Sequence, residues 1–162
     1  MSRLSFLDAA FLQMESPDAP MHVAGLQIYE PPENYDGDFL QDLIAEFSKA
    51  GQVVPPFNQR LAYPTVKLFN RMPYWETDPE FDLNYHVRFA ALPRPGTMDQ
   101  LFTLIERLHS RQLDQTRPLW ESYCIEGLEG GRIALYMKMH HSVVDGVSGM
   151  KMMAQMLSTD PN

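Results

Sequence analysis

Arg132-Ile133-Ala134-Leu135-Tyr136-Met137-Lys138-Met139-His140-His141-Ser142-Val143-Val144-Asp145-Gly146 is the stretch that decides the fold. Its first half reads as a strand with two largely apolar faces. Ile133, Leu135, Met137 and Met139 share one face; Ala134, Tyr136 and Lys138 share the other. A strand apolar on both faces lies inside a sheet rather than at its edge. The histidines follow where this strand leaves the sheet, and neighbouring side chains on a strand point apart. By parity His141 falls with Met137 and Met139, and His140 with Lys138. One imidazole can then face a cavity while the other faces structure.

A neutral imidazole titrates near neutrality and can take a proton from an alcohol in the transition state. The stretch therefore reads as a general base for moving an acyl group. Asp145 can orient an imidazole or hold the turn, and Gly146 lets the backbone bend. Asp145 reads equally well as the N-cap of a helix over 147–157, with Gly146 as turn punctuation. A zinc site is a poor reading, because adjacent residues rarely ligate one ion and too few ligands remain.

Working outward, residues 120–126 form a strand after Pro118-Leu119-Trp120, and Glu129-Gly130-Gly131 turns the chain back into the histidine strand. Thr97 and Gln100 make a capping box for a helix whose stripe is Leu101, Leu104, Ile105 and Leu108. Residues 84–92 read as a strand, and 93–96 as a turn. The segment 53–80 shows no period. Its prolines and aromatics predict an ordered excursion over the surface. Phe39, Leu40, Leu43, Ile44 and Phe47 predict an amphipathic helix over 38–50, residues 22–29 alternate as a strand, and Ser5 caps a helix to about residue 15. The order α-β-α-β-α-β-β-α indicates an α/β fold of the α+β type: a mixed β-sheet flanked by helices.

The length of 162 residues suits one domain with a real core. A net charge of −8 argues against a nucleic-acid surface. No apolar run approaches membrane-spanning length, and the start does not read as a secretory signal. Cys124 is the only cysteine, which excludes an internal disulfide and fits a reducing, cytoplasmic setting. It reads as a buried structural thiol. His22, His86 and His109 read as ordinary surface or half-buried residues. Of the eleven methionines, Met137, Met139, Met150, Met152, Met153 and Met156 flank the motif. They suit plain core or an adaptable apolar tunnel, with Met152 and Met156 the better placed for a partner surface.

The motif His140-His141-Ser142-Val143-Val144-Asp145-Gly146 resembles HHxxxDG, shared by peptide-synthetase condensation domains, plant acyltransferases and chloramphenicol acetyltransferase. Within that superfamily the chain resembles the bacterial wax ester synthase/diacylglycerol acyltransferases over nearly its whole length. The resemblance rests on Pro20-Met21-His22-Val23, Phe81-Asp82-Leu83-Asn84-Tyr85-His86-Val87-Arg88 and Ala91-Leu92-Pro93-Arg94-Pro95-Gly96. It continues in Leu108-His109-Ser110, Arg117-Pro118-Leu119-Trp120-Glu121 and Ile125-Glu126-Gly127-Leu128-Glu129.

This resemblance implies a chloramphenicol-acetyltransferase-like N-terminal domain over 1–162, with a C-terminal half of the same enzyme across a substrate tunnel. It implies His141 as the base acting on a long-chain alcohol or diacylglycerol, with fatty acyl-CoA as co-substrate and no cofactor or metal. His140 and Asp145 would position the loop and His141. Gly146, Pro118, Leu119 and Trp120 would be structural. Lipid substrates imply peripheral contact with membranes or lipid inclusions, although no cationic amphipathic helix is evident. The rival readings are a condensation-type amide-forming domain and a non-catalytic acyl-CoA or lipid-binding module.

Overall fold

The computed structural model describes residues 2–49, 53–64 and 72–144. In chain order the elements are β1 (Ser2–Arg3), α1 (Phe6–Met14), β2 (His22–Tyr29), α2 (Phe39–Lys49), β3 (Gln59–Ala62) and β4 (Tyr74–Thr77). They continue with α3 (Leu83–His86), β5 (Val87–Ala91), α4 (Met98–His109), β6 (Trp120–Glu126) and β7 (Ile133–His140). The main sheet runs β2-β7-β6-β5. β7 pairs antiparallel with both β2 and β6, whereas β5 and β6 are parallel. This is the mixed sheet expected, with the histidine strand in its interior.

A parallel pair needs a crossover, and α4 supplies it. The capping box that starts α4 forms as read: Thr97 Oγ1 accepts from Gln100 N at 3.3 Å, and Gln100 Oε1 accepts from Thr97 N at 2.9 Å. Thr97→Ala is expected to cost about 1 kcal/mol in urea unfolding; an unchanged midpoint would show that the cap adds nothing. Gly96, just before the cap, has φ +82°, and a Cβ there would collide with the Gly127 carbonyl. The turn before α4 is thereby packed directly onto the end of β6.

α4 covers one face of the sheet, where Leu101 and Leu108 join Tyr123, Ile125, Ala134 and Tyr136. α2 covers the opposite face, where Leu40 meets Cys124, Ile133 and Leu135. The two apolar faces of β7 thus serve two separate cores. Cys124 is buried, as expected, and burial pushes its thiol pKa up.

Two segments differ from the sequence reading. Within 53–80 lie β3 and β4, which join β1 in a small antiparallel sheet ordered β1-β4-β3. Strands this short, set among prolines, carry too few alternations for a period to show. The strand expected from residue 84 begins at Val87, because Asp82 caps a single helical turn by accepting from Asn84 N at 2.9 Å. Leu61 of β3 packs with Leu4, Ala9, Leu113 and Leu119 beneath α1. The expected helix over 147–157, with its methionines, lies outside the described residues, as do Asp145 and Gly146.

Candidate active site

The two histidines separate as strand parity requires. His140 is 0% exposed, on the α4 side of β7, while His141 remains half-buried. Main-chain bonds fix both: His140 N donates to Leu119 O and His141 N to Met21 O, each at 2.9 Å. The strand end is therefore held between the Pro118–Trp120 segment and the residue preceding β2. Val143 N then donates to His140 O at 2.9 Å and starts the turn.

The tautomer of His140 follows from its neighbours. Ser142 N lies 3.0 Å from Nδ1 and can only donate, so Nδ1 holds a lone pair. The Ser142 hydroxyl sits 2.7 Å from the same nitrogen. The neutral ring then carries its proton on Nε2, which faces Glu15 Oε1 at 3.7 Å. His141 makes no hydrogen bond through its ring among the described residues. Instead the ring stacks on Phe11, with centroids 4.7 Å apart and planes 15° apart. Such an imidazole is oriented by an apolar face, and its nitrogens are uncommitted.

Glu15 was not legible as a site residue. Its side chain is 1% exposed, and its carboxylate accepts from Met21 N at 3.2 Å and Gln115 Nε2 at 2.8 Å. One physical signal was available. Glu15 is the C-cap of α1, where the helix dipole disfavours an anion, and no basic residue stands in the last turn. An acid placed against the dipole marks a compensating partner elsewhere.

The Pro118-Leu119-Trp120 segment lies directly beside the motif. Leu119 is fully buried, Trp120 pairs in register with Met139, and Trp120 Nε1 donates to Phe57 O at 2.7 Å. Lys138, two residues before His140, was also missed as a polar anchor. It is 1% exposed and donates to Leu108 O at 2.8 Å and Arg111 O at 2.7 Å, closing the C-terminal end of α4. A hollow of about 400 Å³ between Ala91 and Arg107 lies at the opposite end of the sheet, away from the histidines.

The reading of His22 and His86 as ordinary surface or half-buried residues is corrected: both are buried. His86 is stacked between Phe81 and Trp120, and its Nδ1 donates to Trp120 O at 2.8 Å. His22 Nε2 donates to His109 O at 2.7 Å. His109 itself stays exposed.

Burial is the largest influence on His22, His86 and His140, and it holds all three below the ordinary histidine value of 6.5. For His140 the Glu15 carboxylate opposes that effect, while His141 and His22 add to it. Below about pH 6.5 the unfolded chain therefore binds protons that the folded chain refuses. Stability is expected to fall as pH drops from 7.5 to 5.5 and to recover on return. A urea midpoint that holds or rises over that interval would contradict this.

The family model for the wax ester synthase/diacylglycerol acyltransferase catalytic domain matches residues 4–162. The chain belongs to this family. A Mycobacterium tuberculosis protein provisionally named a diacylglycerol O-acyltransferase is 48% identical over 160 residues, covering 99% of this chain and 32% of the relative. The O-acyltransferase WSD of Acinetobacter baylyi is 42% identical over 161 residues, covering 99% and 33%. The solved wax ester synthase/diacylglycerol acyltransferase from Marinobacter aquaeolei VT8 superposes with a TM-score of 0.90 at 42% identity, covering 99% of this chain and 38% of that one. The chain thus spans about a third of the length of the curated relatives it matches. The starter condensation domain of rhizomide synthetase, 13% identical with a TM-score of 0.63, shares the fold alone. No helix among the described residues is long and apolar enough to cross a membrane.

Proposed function

We propose that these residues form the histidine-bearing part of an O-acyltransferase that moves a fatty acyl group from acyl-CoA to a long-chain alcohol or diacylglycerol. The reading is carried by one observation: of two adjacent imidazoles, His140 is buried and engaged on both nitrogens, whereas His141 is half-exposed with neither nitrogen hydrogen-bonded among the described residues. The names of the relatives supply the acyltransferase class.

In this reading His141 removes the hydroxyl proton of the acceptor as its oxygen attacks the thioester carbonyl. A tetrahedral oxyanion forms, and the C–S bond then breaks. The imidazolium returns the proton to the departing CoA thiolate, so ester and thiol leave and His141 is neutral again. No acyl-enzyme is required, because the base acts on the acceptor directly. The phenyl face of Phe11 suits the cationic intermediate, since an aromatic ring attracts a cation placed over it. Asp145 and Gly146 would hold the turn, and Pro118, Leu119 and Trp120 the strand end beside it.

The greater length of the relatives supports reading 1–162 as a motif-bearing N-terminal domain that works against a further domain. Purified residues 1–162 alone are then expected to form little ester, and robust synthesis by them would overturn the division. The activity itself is tested with the protein at its full natural length, given palmitoyl-CoA with hexadecanol or with dipalmitoylglycerol. Ester and free CoA should appear together. Amide formation with an amine acceptor, or acyl-CoA binding without turnover, would instead favour a condensation domain or a binding module.

A further inference from the structure

Two side chains of α1 reach the two motif histidines, one each. Phe11 lies flat against the His141 ring, and Glu15 faces Nε2 of His140. They stand four residues apart, so helical geometry places them on the same side of α1. The capping box at Ser5 and Asp8 fixes where α1 begins, and its C-cap is Glu15 itself. Two further bonds tie the carboxylate: one from Met21, whose carbonyl holds His141 N, and one from Gln115, in the segment leading to Pro118. Glu15 therefore touches both stretches of chain that flank the histidine pair.

We infer that Phe11 and Glu15 are positioning residues for the acyl transfer, setting the ring orientation of His141 and the tautomer of His140. The inference rests on the reading of His141 as base. The carboxylate accepts only, so it selects the His140 ring with the proton on Nε2 and the lone pair on Nδ1. That lone pair receives Ser142 N and so shapes the turn that carries His141. Charged and titratable groups also face His140 from the other elements: His22 across the register of β2, and Lys138 and His141 on its own strand.

Glu15→Gln keeps size and shape but turns an amide N–H toward the Nε2 proton, or removes an acceptor from Met21 or Gln115. The His140 ring must then give up one of its partners. Steady-state kinetics of the full-length protein should show kcat lowered about 10- to 100-fold, as a small misplacement of a catalytic group does, with KM for acyl-CoA and alcohol nearly unchanged. Phe11→Leu, which keeps the apolar contact and buries no charge, should lower kcat in the same way with KM preserved, and it gives the same test if the first variant fails to fold.

The pair His140→Gln and Glu15→Gln separates positioning from packing. If Glu15 acts through His140, the double variant is no slower than the slower single one. Multiplying effects, an unchanged kcat in folded Glu15→Gln, or a loss confined to KM would overturn the inference. His141→Ala in the same assay tells the two readings apart. Its inactivity beside a fully active Glu15→Gln rejects the positioning role alone, whereas its full activity rejects the base itself.

Discussion

His141→Ala in the full-length protein is expected to lower ester formation by about 10²–10⁴-fold, the usual worth of a general base, without shifting the unfolding midpoint. The expectation has a structural basis on each side. The ring makes no hydrogen bond among the described residues, so its removal leaves no buried partner unsatisfied, and only its stack on Phe11 is lost. The reaction, by contrast, loses the only group placed to take the alcohol proton in this account. His140→Ala should behave in the opposite way. It empties a fully buried site and leaves the Glu15 carboxylate with one charge-compensating neighbour fewer. Stability should drop with it, and turnover should fall only as the turn loosens. Equal melting losses for the two variants would mean that both rings are structural.

Glu121→Ala is expected to cost about 3–5 kcal/mol of stability, the usual penalty for breaking a buried ion pair from one side. Glu121 Oε2 lies 3.6 Å from Lys138 Nζ and accepts from Tyr123 OH at 3.0 Å, and Oε1 lies 3.4 Å from Arg88. Without it the Lys138 ammonium keeps only the two carbonyls at the end of α4. Burial already lowers the lysine pKa, and Glu121 is the leading influence raising it. In the variant, stability should therefore climb with pH on the alkaline side, below the ordinary lysine value of 10.5. There the unfolded chain binds a proton that the folded chain has released. Urea titrations at pH 7.5 and 9.5 measure both effects. A loss below about 1 kcal/mol, typical of exposed pairs, would place Lys138 in effective contact with water.

Strand periodicity carried much of the architecture. β7 was legible because its two faces are both apolar, and the same parity separated His140 from His141 before any coordinates. α4 was legible from Thr97 and Gln100, whose side chains serve backbone groups within one turn. What stayed hidden depends on partners remote in sequence. Nothing around Asn84-Tyr85-His86 shows that Phe81 and Trp120 will enclose the imidazole, so a helical turn reads as strand and a buried ring as an ordinary one. Lys138 on an apolar face is visible locally, but the carbonyls it meets belong to the far end of α4. Glu15 is the same case: its position at a helix C-terminus is visible, whereas Met21, Gln115 and His140 are brought to it only by the fold.

The most direct test of the central claim is the chemical accessibility of two adjacent imidazoles. The full-length protein is treated with diethyl pyrocarbonate, activity is followed, and modified histidines are located by fragment-ion mass spectrometry, with and without hexadecanol. The account predicts that His141 is modified while His140 is spared, that loss of ester formation tracks His141, and that the alcohol slows both. Modification of His140 first, or full activity with His141 modified, would contradict it.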